Sequence, residues 1–530
     1  MKFTGILPLL TGCVIISHSP CAAQVLTAQY DTARTGATVR ETTLTPGNVN
    51  FGRFGKVFSF KVDGDVYAQP LFLPKVEIPG KGIHNVIFIA TEHNSVYAFD
   101  AGGEPAEPLW QVNFLNASAG ITAVPARDVA CHFIAPEIGI TPTPAIDLQS
   151  GTIYVLARTK ENRGALSSDR YVQKLHALAV TTGAEKFGGP VEIKASVKGK
   201  GAGGSGGEVA FDALRELPRA ALLIAGGQVY LTWGSSCDVG PYHGWVMAYD
   251  AHTLAQTAVF NTSPDAEESG IWQSDNGPAA DEEGNVYVAT GNGRFTAAAG
   301  GRDYGDSLLK LAAVGGSFRL LDYFTPSDEK ALNSQDADLG SGGPLLLPAQ
   351  AGDARRLVLI GGKDGSLYVL DRERLGKFQA GSSNAIQVIH FGDGIYSAPA
   401  YWNGRVYLLA SKDRLESFPI RQGKLAEKPD ATGTQRFGNP GATPAISADG
   451  ARNGIVWLIE SKAWNGADRP AVLHAYDAAN VTRELWNSEQ NPDRDRVGQT
   501  LRFTIPTVVN GRVYVDAKGR VDVYGLLPMR

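Results

Sequence analysis

One pattern recurs along this chain and limits what it can fold into. A glycine or Asn-Gly turn leads into a β-branched strand, a polar loop follows, and a second strand ends in Tyr-x-x-Asp or a variant. "NVIFIATEHNSVYAFDAGG" begins at Asn85, and "GTIYVLARTK" at Gly151 is followed by "VQKLHALAVTTG". Further copies begin at Gly227, Gly284, Arg356, Gly404, Gly454 and Gly511. That makes about eight copies, roughly 50 to 75 residues apart. A proline precedes most of them: Pro70, Pro144, Pro278, Pro344, Pro399, Pro444 and Pro506. The third copy has Arg219-Ala220-Ala221 there instead. "PLWQVNF" from Pro108 and "RELWNSE" from Arg483 read as outer strands.

Four antiparallel strands, repeated about eight times, predict an all-β chain folded as an eight-bladed β-propeller. One such sheet cannot bury both its apolar faces, whereas a ring of them does, leaving only short protected edges. "FGKVFSFKVD", from Phe54, precedes the first full copy and is expected to complete the last blade and close the ring. The 62 glycines and 29 prolines suit a chain of many turns.

The N-terminus reads as a secretory signal over residues 1–23, with Lys2, an apolar run and small residues before the cut after Ala23. The propeller then occupies 24–530. A lipoprotein box at Leu10-Thr11-Gly12-Cys13 is the alternative. No later stretch is long and apolar enough for a membrane span. A periplasmic or secreted location is expected. With net charge −5 and no long basic run, a nucleic-acid partner is not expected. Cys131 and Cys237 remain after the cut; an oxidising compartment permits a disulfide between them, and two buried thiols are the alternative.

No Cys-x-x-Cys-His haem site, Walker loop, zinc motif or EF-hand loop is present. "GSGGP" matches a hydrolase elbow only loosely and lacks the strand-turn-helix it needs. "GAGGSGGE", from Gly201, reads as a flexible surface loop. More informative is a dispersed set at blade ends: Asp238, Trp272, Asn292, Asp303, Asp306 and Lys363. Oxygen donors of this kind suit a hard cation, a tryptophan can floor a flat ligand, and a lysine can face a carbonyl. Each is equally an ordinary turn residue when taken alone.

The repeat and these positions resemble the quinoprotein alcohol dehydrogenase superfamily, eight-bladed propellers that bind pyrroloquinoline quinone (PQQ). "ESGIWQSDNGPAADEEGNVYVATGNG" resembles the segment with the tryptophan beneath the quinone and a calcium-binding asparagine. The resemblance implies cofactor contacts at Trp272 and Lys363, Ca²⁺ ligands at Asp238, Asn292 and Asp303, and a catalytic aspartate at Asp303 or Asp306. It implies a PQQ- and Ca²⁺-dependent oxidoreductase acting on an alcohol or sugar, with an external electron acceptor. Two departures stand out. The family's adjacent cysteine pair is replaced by Cys131 alone in "VACHFIAPEIG", and its asparagine-tryptophan pair by Ile395-Tyr396. A non-catalytic propeller of the same ancestry, binding an envelope protein or glycan as outer-membrane assembly scaffolds do, is the alternative.

Overall fold

The computed structural model describes residues 23–528, apart from 163, 165–167, 351–355 and 462–468. The expected signal segment and Cys13 lie outside the described residues. Eight antiparallel sheets follow one another along the chain as blades 1 (71–113), 2 (145–192), 3 (223–261), 4 (279–324), 5 (345–390), 6 (400–425) and 7 (445–487), with blade 8 formed by 507–526 and the early strand Phe54–Lys61. The repeat grammar is legible in the turns. In blade 6, Trp402 pairs with Arg405 across Asn403-Gly404, and in blade 8, Val509 pairs with Arg512 across Asn510-Gly511. All four turn residues have positive φ, the tight hairpin that Asn-Gly favours.

Ring closure follows the expectation. Phe54–Lys61 pairs with Arg520–Leu526, so a strand from near the start of the sequence is the outermost of the last blade. Phe54 is fully buried and anchors it, packing 5.0 Å from Trp486 and 5.4 Å from Trp457 of blade 7. Apolar side chains of this kind fill the spaces between successive blades, where a sheet face meets its neighbour.

The repeat prolines have a shared structural reason. Each stands immediately before an innermost strand whose other edge faces the central channel; among the described residues, only in blade 7 does a short strand, Ala37–Thr38, pair there, in parallel with Ala445–Asp449. The N-terminal segment 25–36 runs around that channel and supplies the missing partner. The N–H two residues after each proline donates to it: Phe72 to Val25 O (2.9 Å), Ile146 to Leu26 O (2.8 Å), Ala280 to Thr32 O (2.8 Å), Leu346 to Ala33 O (2.9 Å), Tyr401 to Thr35 O (2.8 Å) and Ile446 to Gly36 O (2.8 Å). Val508 donates to the Tyr30 hydroxyl at 2.9 Å. Blade 3 is the exception in structure as in sequence. Leu222, just after the expected Arg219-Ala220-Ala221, is the residue that stands where the others have proline, and its N–H goes to Thr143 O at the entry to the preceding blade.

Arg34 is the centre of this hub and is fully buried. Its guanidinium donates to Pro278 O (2.9 Å), Ala28 O (2.7 Å), Leu222 O (3.1 Å) and the Thr27 hydroxyl (2.7 Å). Burial lowers its pKa to about 10, partly offset by Asp31. Gly36 has φ of +69°, and a Cβ there would lie 2.9 Å from Ala400 Cβ. Only glycine fits where the segment squeezes past blade 6.

Candidate functional site

The loops that precede the inner strands gather at one end of the channel and enclose a cavity of about 580 Å³. Its floor is aromatic. Trp272, Tyr396 and Phe503 come from the approaches to blades 4, 6 and 8, with ring centroids 6.2 to 6.4 Å apart. Tyr396 and Phe503 each stand three residues before a repeat proline, and Arg219 stands three before Leu222. This shared offset points side chains of different blades at the channel axis. Arg219 reaches across it: its Cζ lies 4.9 Å from the Phe503 ring and 5.8 Å from that of Tyr67. It pairs with Asp275, Nε to Oδ1 at 2.8 Å, in a nearly dry setting. Burial pushes the Asp275 carboxyl up to about 6 against the pull of Arg219.

The backbone under Trp272 is strained. Gln273, Ser274 and Asp275 have φ of +46°, +45° and +64°, an uncommon run for non-glycine residues. Tertiary contacts hold it: Ser274 Oγ donates to Ser341 O at 2.7 Å, and Ala289 N donates to Gln273 Oε1 at 3.3 Å. Ser341, the serine of "GSGGP", is itself buried with its hydroxyl donating to Ile395 O.

Lys363 stands in the loop between the second and third strands of blade 5. Its Nζ lies 5.4 Å from the Trp272 ring centroid, 2.5 Å from Asp338 Oδ2 and 2.8 Å from Asp336 Oδ1. Burial opposes the ammonium charge, but Asp338 and Asp336 outweigh it and raise the lysine above its usual range. The same carboxylates hold Asn292: its backbone N donates to Asp338 Oδ1 at 2.6 Å and its Nδ2 to Asp336 Oδ1 at 2.7 Å. Asp336 and Asp338 therefore join Lys363 to Asn292. Burial raises the Asp338 carboxyl, with Lys363 pulling against it.

The other expected site residues divide. Asp238 lines the cavity, its Oδ1 accepting from Ser235 Oγ (2.8 Å) and Tyr242 Oη (3.0 Å). Asp303 does not line it. Its carboxylate is spent within the loops, accepting from Asp265 N at 3.0 Å and Thr296 Oγ1 at 2.9 Å. Asp306 is fully buried behind Asp338, one oxygen accepting from Leu339 N and the other with no hydrogen-bond partner among the described residues. Burial and then Asp338 push it up to about 8. No three His, Cys, Asp or Glu side chains converge as a metal site among the described residues. Asp238, Asn292 and Asp303 do not fit a calcium ion as a set, since Asp303 is committed elsewhere and Lys363 already stands between the carboxylates beside Asn292.

Cys131 and Cys237 are joined as a disulfide, Cα to Cα 5.6 Å, and both line the cavity. The bridge ties the loop between blades 1 and 2 to a loop of blade 3. The glycine loop from Gly201 departs from the flexible expectation. It tips the hairpin Ser196–Lys198/Glu208–Ala210 and is pinned by Gly201 N to Pro264 O and Ala202 N to Ala266 O. A Cβ at Gly199 would sit 1.9 Å from Pro264 O, so close approach explains a glycine there.

Sequence reading missed Arg219, Asp336, Asp338, Tyr396, Arg502 and Phe503. The offset of three from the repeat proline was the signal for Tyr396 and Phe503; Asp336 and Asp338 offered none, because they sit in an irregular approach to blade 5.

No family model and no curated protein sequence matches the chain. Solved structures do. Quinohemoprotein alcohol dehydrogenase from Comamonas testosteroni superposes with a TM-score of 0.60 at 16% identity, covering 96% of this chain and 81% of that one. Quinohemoprotein alcohol dehydrogenase ADHIIG from Pseudomonas putida HK5 gives 0.59 at 15% identity, covering 95% and 80%. A europium-containing methanol dehydrogenase gives 0.59 at 14% identity, covering 95% and 98%. At these identities the likeness is one of fold, and the chain is a divergent propeller of that architecture.

Proposed function

We propose that this chain is a secreted or periplasmic quinoprotein-type oxidoreductase. It would hold a planar quinone, pyrroloquinoline quinone being the candidate, on the Trp272 floor and oxidise an alcohol or sugar, passing electrons to an external acceptor. One observation carries this reading: an ammonium group is fixed 5.4 Å from the face of a half-buried tryptophan, inside a cavity of about 580 Å³. That volume lies within the range of small-molecule sites.

A bound quinone would accept the hydride from the substrate carbon. The residues of this chain prepare the rest. Trp272, Tyr396 and Phe503 offer an apolar face for a flat ring. Lys363 keeps its charge through Asp336 and Asp338 and can donate a hydrogen bond to a carbonyl oxygen. A hydroxyl proton needs an acceptor, and Asp336 and Asp338 are the carboxylates of the cavity held against Lys363. Burial moves Asp338 toward the range where a carboxylate acts as a general base. Asp303, expected for that role, is engaged by Asp265 and Thr296. No step is assigned to calcium.

The experiment is a titration of the purified protein with PQQ, with and without Ca²⁺, followed by absorbance and thermal shift. Saturable binding is expected, and Trp272→Ala should weaken it about tenfold. No binding at saturating PQQ would overturn the reading. A second reading, a binding propeller without turnover, is favoured by the commitment of Asp303. Binding of PQQ with no dye-linked oxidation of any primary alcohol or aldose would select it.

A further inference from the structure

Two blades carry the same buried histidine staple, and only one of them is closed. In blade 7, His474 on the third strand pairs through Nδ1 with Glu484 of the outer strand at 2.7 Å. Its ring packs on Phe437, from the segment that leaves blade 6, with centroids 4.8 Å apart. In blade 2, His176 on the third strand pairs through Nδ1 with Glu185. Its ring stacks on Phe114, from the segment that leaves blade 1, with centroids 3.6 Å apart. Both histidines are almost fully buried.

Strand register fixes what stands beside each ring. His474 lies opposite Leu458, and two residues further along that strand is Glu460, whose Oε2 lies 3.4 Å from His474 Nε2. His176 lies opposite Val155, and two residues further along is Ala157. Across the ladder from Glu460 is Val472, whereas across from Ala157 is Lys174. Blade 2 therefore lacks the acid that blade 7 builds in, and it carries a cation beside the same ring. The place of the acid is hollow. A cavity of about 180 Å³ opens there, lined by Ala157, Thr159, Lys174 and His176. That is about six times the volume of a water molecule in the liquid, the scale of a small organic ion.

With Nδ1 taken by Glu185, Nε2 is the ring nitrogen left for this cavity. Lys174 Nζ lies 3.6 Å from Glu161 Oε1, beyond hydrogen-bonding distance, and Glu161 is bonded by Arg170 at 3.1 Å. The segments that pack on the cavity from the blade 1 side bring Phe114 and Ile121, which carry no charge. The two rings titrate accordingly. Burial disfavours charge on both, but at His474 the acids Glu460 and Glu484 outweigh it and raise the ring above its usual range. At His176 burial outweighs Glu185, Lys174 adds to it, and the ring is held below that range.

We propose that the blade 2 cavity binds a small carboxylate ion, which takes the position that Glu460 occupies in blade 7, against His176 Nε2 and Lys174 Nζ. The site shares no lining residue with the central cavity and does not depend on the quinoprotein reading. It lies between blades 1 and 2, so the bound ion adds a link between them. The ion favours the imidazolium, which takes its proton from water, and affinity therefore falls as pH rises.

The test uses the full chain labelled with ¹³Cε1-histidine, the His176 signal being assigned by its loss in His176→Gln. Sodium acetate, acetamide and sodium chloride are titrated at mildly acidic pH, with thermal melts recorded alongside. Acetate should move the His176 signal saturably and raise the melting temperature, whereas acetamide and chloride should do neither. Acetate affinity should fall at least about threefold over the next pH unit. Ala157→Glu supplies the acid from within the chain. It should raise the His176 titration midpoint by about one pH unit or more and abolish the acetate response. Lys174→Met, a change at a partly exposed side chain, should weaken acetate about fivefold. A His176 signal unmoved at about 200 mM acetate would overturn the site. So would equal responses to acetate and to acetamide or chloride, or an undiminished response in Lys174→Met. If Ala157→Glu does not fold, the wild-type and Lys174→Met titrations decide the question.

Discussion

The hub and the cavity use the same inner strands in opposite ways. At the hub, segment 25–36 satisfies the channel-facing edge, and Arg34 alone makes four hydrogen bonds with no solvent exposure. Behind the cavity wall, Asn292 Oδ1 and Asp306 Oδ2 are buried without a hydrogen-bond partner among the described residues, and in the hub the Gln29 side-chain amide is the one such group of segment 25–36. Positive φ at non-glycine residues occurs in both regions, at Gln273 to Asp275 beside the cavity and at Gln29, Tyr30 and Arg34 in the hub. The contrast teaches where stability is made and where it is given up. The hub spends its backbone and Arg34 on bonds between blades, whereas the unmet oxygens behind the cavity belong to the carboxylate and amide groups gathered around Asp338 and Lys363.

The comparison can be broken most forcefully at Arg34. Arg34→Ala would leave three buried carbonyls without their donor, and a loss on the order of 4 kcal/mol in a denaturant melt is expected. A loss under about 1 kcal/mol would mean that the hub is ornamental to stability. Next in size is Asp306→Asn, with the opposite sign. A carboxyl whose folded pKa lies near 8 holds its proton in the fold while the unfolded chain gives it up above about 4. The fold therefore binds more protons between those values, and stability falls as pH rises through that window. Asp306→Asn should remove this slope and stabilise the protein at pH 8 by on the order of 3 kcal/mol, with the gain vanishing toward pH 4. An unchanged pH profile would show that Asp306 is ionised in the fold. Gly36→Ala should cost about 2 kcal/mol, from the positive φ and the contact with Ala400. Smallest is Tyr396→Leu at the half-exposed floor. Its melt should stay within about 1 kcal/mol of wild type, although the variant removes a face of the proposed platform.

The propeller was legible in the sequence because its grammar is local and repeated. Asn-Gly turns, alternating strands and prolines each report on a few neighbouring residues, and their recurrence makes the ring the consistent solution. Even closure by Phe54–Lys61 could be read, since an orphan strand at one end matched a missing strand at the other. The site was legible only in part. Trp272, Asn292 and Lys363 stand at blade ends in order along the chain, and the structure gathers them. Their connection through Asp336 and Asp338 was not, because it depends on how an irregular loop folds back across a blade boundary. Asp303 misled for a similar reason: a loop aspartate can point at the channel or cap its own turn, and Thr296 decides for the latter.

The order of hub contacts has a consequence for how such a chain can evolve. Val25, Leu26, Thr32, Ala33, Thr35 and Gly36 serve blades 1, 2, 4, 5, 6 and 7 in turn, with Arg34 and Tyr30 attending to blades 3 and 8. The segment is a ruler with a backbone mark for six blades in chain order and two side chains that reach the remaining pair. Duplication or loss of a single repeat, the easiest genetic change for a repetitive gene, would leave every later mark facing the wrong strand. A twelve-residue stretch near the N-terminus thus fixes the blade number at eight, and a change of symmetry would require the ruler to be rewritten at the same moment as the ring.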